Sequence, residues 1–295
     1  MPEGHTLHRL AAAYRKVFGG ESVRVSSPQG PFAQSALLLD GRPLSSTEAH
    51  GKHLFLGFGG PVPGSASASA AAATPDWIHI HLGLYGKVRF GEGPAPAPTG
   101  QIRLRISATD GTAHADLRGP ATCALITDPE KQEVHRRLGP DPLRADSVPE
   151  QAWQRVSRSG STVAALLMDQ KVLSGVGNIY RAEVLFRQGI DPRLPGRALT
   201  RAQWDAVWTD LTLLMADGVR DGWIDTVRPE HTPQAMGRPA REDAHGGEVY
   251  VYRRAGLPCL VCTTPVSAAD HAGRNLFWCP ACQPSTPNPS LHYRP

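Results

Sequence analysis

The chain has 295 residues, of which 40% are hydrophobic and 20% charged, with a formal net charge of +4 and a pI of about 8.9. This composition excludes a disordered chain and leaves room for two domains with cores of their own. The small basic excess is compatible with a polyanionic partner, whereas the absence of any apolar run of about eighteen residues excludes a membrane-spanning helix. The start shows no basic segment followed by an apolar core, so we expect no secretory signal and a cytoplasmic protein.

The first residues, MPEGHTLHRL, place a proline directly after Met1 and a glutamate directly after that proline. If Met1 is removed, Pro2 presents a secondary amine and Glu3 a neighbouring carboxyl group. An amine beside an acid can form and resolve a Schiff base. The other interpretation is an ordinary chain end without a function, and the stretch itself leaves both open.

The next hundred residues predict a helix followed by strands. Apolar side chains at helical spacing, ended by Gly19-Gly20, predict a helix over His5–Phe18. Short alternating segments separated by Gly and Pro then predict an antiparallel sandwich or barrel: ESVRVSS, HLFLGF, WIHIHL, GKVRF and IRLRIS. Two low-complexity stretches, 59–75 and 91–100, are interpreted as flexible loops between strands.

From about Asp128 the pattern becomes helical. RRLGPDPLRAD predicts a linker, and four later segments predict helices: VPEQAWQRVSR, TVAALLMDQ, NIYRAEVLFRQG and TRAQWDAVWTDLTLLMADGVRDG. Residues 225–248 lack periodicity and are either a disordered linker or a functional loop. VYVYRRAG then predicts a strand.

These patterns predict an α+β multidomain chain. We divide it into an N-terminal β-sandwich domain (1–127), a linker (128–145), a helical domain (146–224), a flexible loop (225–248), a cysteine module (249–283) and a tail (284–295).

In the glycine-rich stretch DQKVLSGVGNIYRAEVLF, a helix leads into a turn containing Gly175 and Gly177. We expect the next helix to begin with Asn178 as its N-cap. Glycines allow an anion to approach the backbone closely, and the N–H groups at a helix start point towards it. The segment matches neither the dinucleotide nor the P-loop fingerprint, so it is either a phosphate-binding turn or a structural connection.

The cysteine module contains two Cys-x-x-Cys pairs: Cys259, Cys262, Cys279 and Cys282. Four thiolates on two tight turns suit tetrahedral Zn²⁺, and a site without an open position is structural. The residues between the pairs predict a β-hairpin with Gly273 and Arg274 at its tip or on its returning strand. Arg274 there either holds a phosphate or is an ordinary surface charge. Cys123 stands apart and is expected to be a small core residue.

The histidines around Lys52 are ambiguous. His50 and His53 flank it, and they either tune its pKa or are structural. His79 and His81 alternate within a strand, so we expect them to share one face. No metal site follows from this spacing.

Four motifs occur in a fixed order: PEGH at the start, GKHLF at 51–55, LSGVGNIYRAEVLF at 173–186 and GRNLFWCPACQ at 273–283. Together they resemble the formamidopyrimidine-DNA glycosylase / endonuclease VIII (Fpg/Nei) family of base-excision repair enzymes. The resemblance extends from Pro2 to Gln283. PEG rather than PEL, together with HLGLYGKVRF, is more similar to the endonuclease VIII branch, which favours oxidised pyrimidines.

The resemblance implies an N-terminal helix and β-sandwich, a helix–two-turn–helix domain and a zinc-finger hairpin, with damaged DNA bound between the two halves. It also implies a monomer of the bacterial cytoplasm, associated with the nucleoid, that holds one structural Zn²⁺ and contacts no membrane.

Roles can be carried over where the motifs match. Pro2 resembles the nucleophile that attacks the sugar C1′, Glu3 the acid/base carboxylate, and Lys52 the lysine that assists β-elimination. Asn178 and Arg274 match positions that hold the phosphates beside the lesion, and Arg274 also aids δ-elimination.

Further DNA contacts are implied at Lys171 and in HLGLYGKVRF. Leu84 and Tyr85 resemble wedge residues that fill the gap left by an extruded base; the alternative is that both are core residues of a strand. Gly83 stands at a position that is polar in some relatives, which predicts a smaller wedge. Arg118, in DLRGPAT, keeps the arginine of the purine-specific motif without its aromatic intercalator.

These roles predict a bifunctional DNA glycosylase and abasic-site lyase that removes oxidised bases, pyrimidines preferred, by β,δ-elimination. One alternative is an oxidised-purine glycosylase of the same family. Another is a zinc-finger protein that binds damaged or abasic DNA without cutting it. The combination of Pro2, Glu3 and Lys52 favours an enzyme, and the 225–248 loop is expected to influence the choice of lesion.

Overall fold

The computed structural model describes residues 2–59, 76–242 and 247–285. The chain divides into two units, unit 1 (Met1–Arg137) and unit 2 (Leu138–Pro295). Within the described ranges no helix is long and apolar enough to cross a membrane. The loop predicted at 59–75 lies outside the described residues from residue 60 onwards. The same holds for residues 243–246 of the 225–248 loop and for the predicted tail beyond residue 285.

Unit 1 begins with helix α1, Gly4–Phe18, which confirms the predicted helix. One face is buried, through residues at three- and four-residue spacing: Leu7, Ala11, Tyr14 and Phe18. The helix ends at Gly19, where a Cβ atom would lie 2.4 Å from the carbonyl oxygen of Arg15. Only glycine fits at this position.

Two antiparallel four-stranded sheets follow, and the predicted sandwich is confirmed. The first sheet has, in order, β2 (Leu44–His50), β3 (His53–Phe58), β4 (Asp76–His81) and β8 (Thr122–Ile126). The second has β1 (Val23–Ser26), β6 (Leu104–Ala108), β7 (Ala113–Arg118) and β5 (Lys87–Glu92). Both sheets bury side chains in one core with α1. Cys123, on β8, packs against this core, and burial raises the pKa of its thiol to about 12.

Helix α2 (Ala33–Leu39) and strands β2, β7 and β8 were not predicted. Strand β7 shows why. It carries Asp116 in a buried position, which breaks the apolar alternation expected of a strand. The charge is tolerated because Arg105 donates to the Asp116 carboxylate from Nε and Nη2, at 2.6 and 2.9 Å.

The linker predicted over 128–145 begins instead with a helix of unit 1, α3 (Asp128–Arg137). Asp128 accepts a hydrogen bond from Trp77 Nε1 at 3.1 Å. The Lys131 ammonium group lies 3.6 Å from the centre of the Trp77 ring and pairs with Glu48. The helical pattern noted from Asp128 onwards is therefore confirmed, and the linker can begin only after Arg137.

Unit 2 contains the four predicted helices: α4 (Pro149–Val156), α5 (Val163–Met168), α6 (Asn178–Arg187) and α7 (Arg201–Asp221). Helix α7 starts with a capping box between Thr200 and Gln203 and ends at Gly222, whose φ is 85°. Helix α6 is buried along most of its length and contacts α5, α7 and the C-terminal hairpin.

The predicted hairpin lies between the two cysteine pairs, as β9 (Ser267–His271) and β10 (Arg274–Trp278). Its turn residues Ala272 and Gly273 have φ values of 53° and 72°, the pattern of a type I′ turn. Arg274 is exposed and starts the returning strand. Thr162 Oγ1 lies 2.7 Å from His271 Nε2, which ties the hairpin to α5.

The strand predicted for VYVYRRAG is not formed; residues 249–254 are turns and bends. The backbone N–H groups of Tyr250, Val251 and Tyr252 donate instead to the carboxylate of Glu183 on α6, at 2.6, 2.9 and 2.8 Å. Thr226 Oγ1 donates to the same carboxylate at 2.6 Å. Because a side chain uses these N–H groups, they cannot pair with a neighbouring strand.

The described part of the 225–248 loop has local structure. A 3₁₀ turn at Pro229–His231 is followed by a short helix, α8 (Pro233–Met236). Arg238 pairs with Glu248 at 2.8 Å. This part of the loop is therefore folded onto unit 2.

Candidate nucleic-acid site

The turns of the first sheet bring several predicted residues to one end of unit 1. His50 and His53 face each other across β2 and β3, so Gly51 and Lys52 form the two-residue turn between them. Gly51 has a φ of 58°, which glycine adopts without strain. His53 also pairs with His81, the last residue of β4, so the turn after β4 lies at the same end.

The start of α1 reaches this end as well. Thr47 Oγ1 donates to the Ala11 carbonyl at 2.9 Å, and the other end of α1 meets the beginning of β2. The distance along α1 from Ala11 back to its first residue is roughly 10 Å, and the distance along β2 from Thr47 to its last residue is also roughly 10 Å. Pro2 and Glu3 therefore lie at the end that carries Lys52.

Glu3 is held firmly beside Pro2. It is the N-cap of α1, its carbonyl accepts from the Thr6 N–H at 3.0 Å, and its side chain is 0% exposed. A carboxyl group at a helix start is in a position that favours negative charge. Burial, with smaller contributions from nearby cations, lowers the pKa of His5 in the same turn to about 4, so His5 is neutral near pH 7.

Leu84 and Tyr85 project from the turn between β4 and β5, with 56% and 81% of their surface exposed. The alternative that they are core residues is therefore wrong. Gly83 has a φ of 67°, and a Cβ atom there would lie 2.8 Å from that of Ala121. Both observations explain the glycine at this position.

Arg118 is the last residue of β7 and pairs with Lys87, the first residue of β5. Only Gly86 separates Lys87 from the exposed turn that carries Leu84 and Tyr85. Its Nη1 donates to the Thr99 carbonyl at 2.5 Å, and its Nη2 lies 3.6 Å from Asp116. Arg118 thus lies at the same end as Leu84 and Tyr85, with its guanidinium group held by unit 1 itself.

A histidine cluster lies beside the Lys52 turn; it consists of His50, His53, His79, His81 and His135. The ring centre of His53 is 5.0 Å from those of His79 and His81, so these two share one face, as predicted. Burial lowers the pKa of His53 to about 3 and that of His79 to about 4, with neighbouring histidines adding to both effects. Burial, and then the charge of Lys52, lower the pKa of His81.

In unit 2, Asn178 is the first residue of α6 and not its N-cap, which corrects the prediction; Gly177 is the N-cap. The side-chain amide of Asn178 bonds to the C-terminal hairpin and to Arg181 instead of capping the helix. Its Nδ2 donates to the carbonyl of Asn275 at 3.1 Å, and its Oδ1 accepts from Arg181. Arg181 also donates to the Asn275 carbonyl, at 2.8 Å. Since Asn275 follows Arg274, these bonds bring Asn178 and Arg274 together.

The turn before α6 is held by one side chain, Gln170. Its Nε2 donates to the Val176 carbonyl at 3.0 Å, and its Oε1 accepts from the Gly175 N–H at 3.1 Å. Gly175 has a φ of 91°, which explains the need for glycine. Lys171 lies exposed on the same turn.

The four predicted cysteines converge, with all Sγ atoms within 4.8 Å of one another. Cys259 and Cys282 are 3.9 Å apart and Cys262 and Cys279 3.4 Å. Tetrahedral Zn²⁺ with bonds of about 2.3 Å places sulfurs about 3.8 Å apart, so the donor set fits zinc. Across residues 2–59, 76–242 and 247–285, no other group of His, Cys, Asp or Glu could hold a metal in this way.

Three residues of unit 2 were missed by the sequence analysis. Arg181 and Glu183 are buried on α6, and Gln283 links the Cys279 N–H, at 2.9 Å, to the Ile190 carbonyl, at 2.9 Å. The sequence did carry one signal for Arg181 and Glu183, which are two opposite charges within the apolar segment NIYRAEVLF. Charges on such a helix are rarely buried without partners, so their presence indicates buried hydrogen bonds or ion pairs.

Comparison with known proteins covers most of the chain. Residues 1–123 match the formamidopyrimidine-DNA glycosylase N-terminal domain, residues 138–228 the H2TH domain of the same family, and residues 256–284 the zinc finger found in FPG and IleRS. Endonuclease 8 1 of Mycobacterium tuberculosis is 49% identical over 96% of this chain and 100% of its own length. Formamidopyrimidine-DNA glycosylase of Geobacillus kaustophilus is 35% identical over 59% of this chain and 63% of its own.

Solved structures show the same fold. The complex of Lactococcus lactis Fpg with abasic-site DNA has a TM-score of 0.71 at 18% identity, covering 95% of this chain and 99% of that one. MutM in complex with DNA containing carbocyclic 8-oxo-G has a TM-score of 0.72 at 18% identity, covering 96% and 100%.

Proposed function

The chain belongs to the formamidopyrimidine-DNA glycosylase / endonuclease VIII family, and from this membership we propose which of its residues carry out base excision. The protein is a DNA glycosylase with abasic-site lyase activity that acts on oxidised bases, and its zinc finger holds one structural Zn²⁺. The observation that carries the assignment is the common location of Pro2, Glu3 and Lys52 at one end of unit 1.

Pro2 is the nucleophile in this proposal. Once Met1 has been removed, its secondary amine attacks C1′ of the damaged nucleotide, the bond to the base breaks, and an iminium forms. An α-amine titrates at about 8, so a useful fraction is neutral near physiological pH. Glu3 protonates the sugar ring oxygen, which its fixed place one residue from Pro2 supports.

Strand cleavage follows from the iminium, which acidifies the C2′ proton. Loss of that proton expels the 3′ phosphate in β-elimination, and Lys52 assists this step. Arg274 aids the second, δ-elimination. The exposed position of Arg274 at the hairpin tip supports this role.

Asn178, Arg274 and Lys171 hold DNA phosphates in this proposal. It is supported by the shared contact at the Asn275 carbonyl and by the rigid turn that carries Lys171. Leu84 and Tyr85 fill the gap left by the extruded base, supported by their exposure, and Arg118 contacts the DNA beside them.

Oxidised pyrimidines are the preferred substrates in this proposal. It is supported by the 49% identity to an endonuclease 8 over the whole chain, and an oxidised-purine preference is the second candidate. The monomeric state, the nucleoid location in the cytoplasm and the predicted domain division remain predictions. Light scattering of the purified protein tests the first of these.

The deciding experiment is borohydride trapping on duplex DNA that carries thymine glycol, 8-oxoguanine or an abasic site. We expect a covalent adduct on all active substrates, strongest with thymine glycol, and none when an added residue blocks Pro2. Glu3→Gln should lower base excision by roughly 10²–10⁴-fold. Lys16→Gln, an exposed change near the far end of α1, is the matched control and should leave trapping unchanged. An adduct that persists with a blocked Pro2 would overturn the assignment, and binding without any adduct would favour the non-cutting alternative.

A further inference from the structure

A cavity of about 430 Å³ lies in unit 2 among residues that have no role in the mechanism above. Charged side chains dominate its lining: Arg238, Arg241, Arg253, Arg254, Glu242 and Glu248. Four guanidinium groups and two carboxylates leave a formal charge of +2. The volume is in the range of cavities that bind small ligands or parts of larger ones.

Both oxygens of one carboxylate of this cavity, that of the half-buried Glu248, already have partners. Glu248 Oε2 pairs with Arg238 at 2.8 Å, and Glu248 Oε1 accepts from the Arg241 N–H at 2.6 Å. Arg238 Nε is buried and has no hydrogen-bond partner among the described residues. Glu248 therefore compensates one arginine and leaves a buried donor next to it.

Among the described residues, the Arg254 guanidinium group donates to two neutral acceptors. Its Nη1 donates to the Tyr250 carbonyl at 2.5 Å and its Nη2 to the Pro258 carbonyl at 2.9 Å. Burial lowers the pKa of Arg254, an effect that the charge of Glu183 opposes and that of Arg238 increases. The cavity thus holds two neighbouring arginines, Arg238 paired with Glu248 and Arg254 bonded to backbone carbonyls.

Arg253 is exposed and has a φ of 54°, a left-handed conformation that costs energy for a residue other than glycine. The three residues before it are fixed by the Glu183 carboxylate, so its position is set by a buried anchor on α6. The backbone conformation and the anchor together fix the position of Arg253 beside the cavity.

We propose that this cavity binds a phosphate group of a DNA strand, in addition to the phosphates assigned to Asn178 and Arg274. The inference rests on the proposed function, since DNA is the polyanion that the enzyme must hold. Guanidinium groups bind phosphate oxygens through paired N–H donors, and here the donors are pre-positioned by backbone carbonyls and by Glu248. A free phosphate ion has the same chemistry, so it is the alternative occupant of the cavity.

The test uses the zinc-loaded full chain and a duplex with a stable abasic analogue, with affinity measured over a range of salt concentrations. Arg253→Asn removes the guanidinium group and tolerates positive φ. We expect it to weaken binding about fivefold at physiological salt and to reduce the slope of log K against log salt by about 1. Arg253→Lys should retain part of the slope. Arg220→Asn, at the exposed end of α7, is the matched control and should retain all of it.

Two outcomes overturn the proposal. One is a wild-type slope and affinity for Arg253→Asn. The other is binding of inorganic phosphate that depends on Arg253 while the DNA slope does not, which would assign the site to the free ion. Borohydride trapping at saturating protein separates these failures from failure of the proposed function. Arg253→Asn should trap as well as wild type there, whereas absence of trapping in both would contradict the enzyme assignment itself.

Discussion

The histidine cluster of unit 1 and the cysteine cluster of unit 2 consist of residue types that bind metals, yet they are built differently. The four cysteine sulfurs converge within 4.8 Å, whereas the histidines contact one another in pairs, such as His53 and His79 at 2.8 Å. The cysteines suit one cation at their centre, whereas the imidazoles of His53 and His79 remain neutral through burial. Convergence of the donor atoms, more than residue type, therefore distinguishes a metal site from a packed polar cluster.

This difference extends to how each unit holds its candidate residues. Pro2, Glu3 and Lys52 lie on a helix start and a turn supported by packing and by neutral rings. Asn178 and Arg274 lie on a framework of metal-ligating thiols and buried charges. Unit 1 should therefore be sensitive to acid and unit 2 to loss of metal or of a carboxylate.

The largest effect is expected from Cys279→Ser. Structural zinc sites supply about 10–16 kcal/mol of binding free energy at neutral pH, and loss of one thiolate removes much of it. We expect zinc content to fall from one ion per chain to a small fraction, and amide exchange to rise throughout the β9–β10 hairpin. Cys123→Ser, on β8 of unit 1, is the matched control and should keep full zinc. Full zinc in Cys279→Ser would contradict the four-cysteine site.

Glu183→Gln should have the next largest effect. The carboxylate accepts three backbone N–H groups and the Thr226 hydroxyl, and an amide can replace only part of this set. We expect a loss of about 3 kcal/mol in the free energy of unfolding of unit 2, measured by urea denaturation. Glu150→Gln breaks an exposed pair with Arg201 and should cost less than about 1 kcal/mol. Equal losses in the two variants would show that Glu183 is not an anchor.

The smallest effect concerns acid. The folded-state pKa values of His53 and His79 are about 3 and 4, below the ordinary value of 6.5. Between each folded-state pKa and pH 6.5, the unfolded chain therefore binds more protons than the folded chain. Their contribution to stability is complete above about pH 6.5 and is lost as the pH falls, by up to about 1.4 kcal/mol per pH unit for each histidine.

Urea denaturation of unit 1 at pH 7 and pH 5.5 measures this slope. His79→Phe, next to Phe55, should flatten it, whereas His271→Gln in unit 2 should leave it unchanged. A slope that His79→Phe does not alter would assign the acid sensitivity to other groups.

Local patterns predicted what is encoded in contiguous residues: α1, strand β3 after Lys52, the four helices of unit 2 and the cysteine pairs. Three of the errors involve partners far away in the sequence. The backbone of VYVYRRAG is held by Glu183, α3 contacts Trp77 and Glu48, and Asn178 contacts the carbonyl of Asn275.

The candidate site shows the same division. The residues at the N-terminus left both an ordinary chain end and a Schiff-base site open, and the resemblance decided between them. Neither the local sequence nor the family resemblance predicted the roles of Arg181, Glu183 or Arg253. Those roles depend on which groups the fold brings close to each side chain.

The contact between α6 and the zinc finger has a consequence for exchanging fingers between related proteins. Asn178 and Arg181 both donate to a carbonyl oxygen of the finger, that of Asn275, and not to a side chain. Every residue offers that acceptor, so position 275 can vary freely while the joint is kept. A finger exchanged from a relative should therefore keep this contact, provided that its hairpin keeps the register and the recipient helix keeps its two donors. At this contact, compatibility between the two modules is decided by the helix.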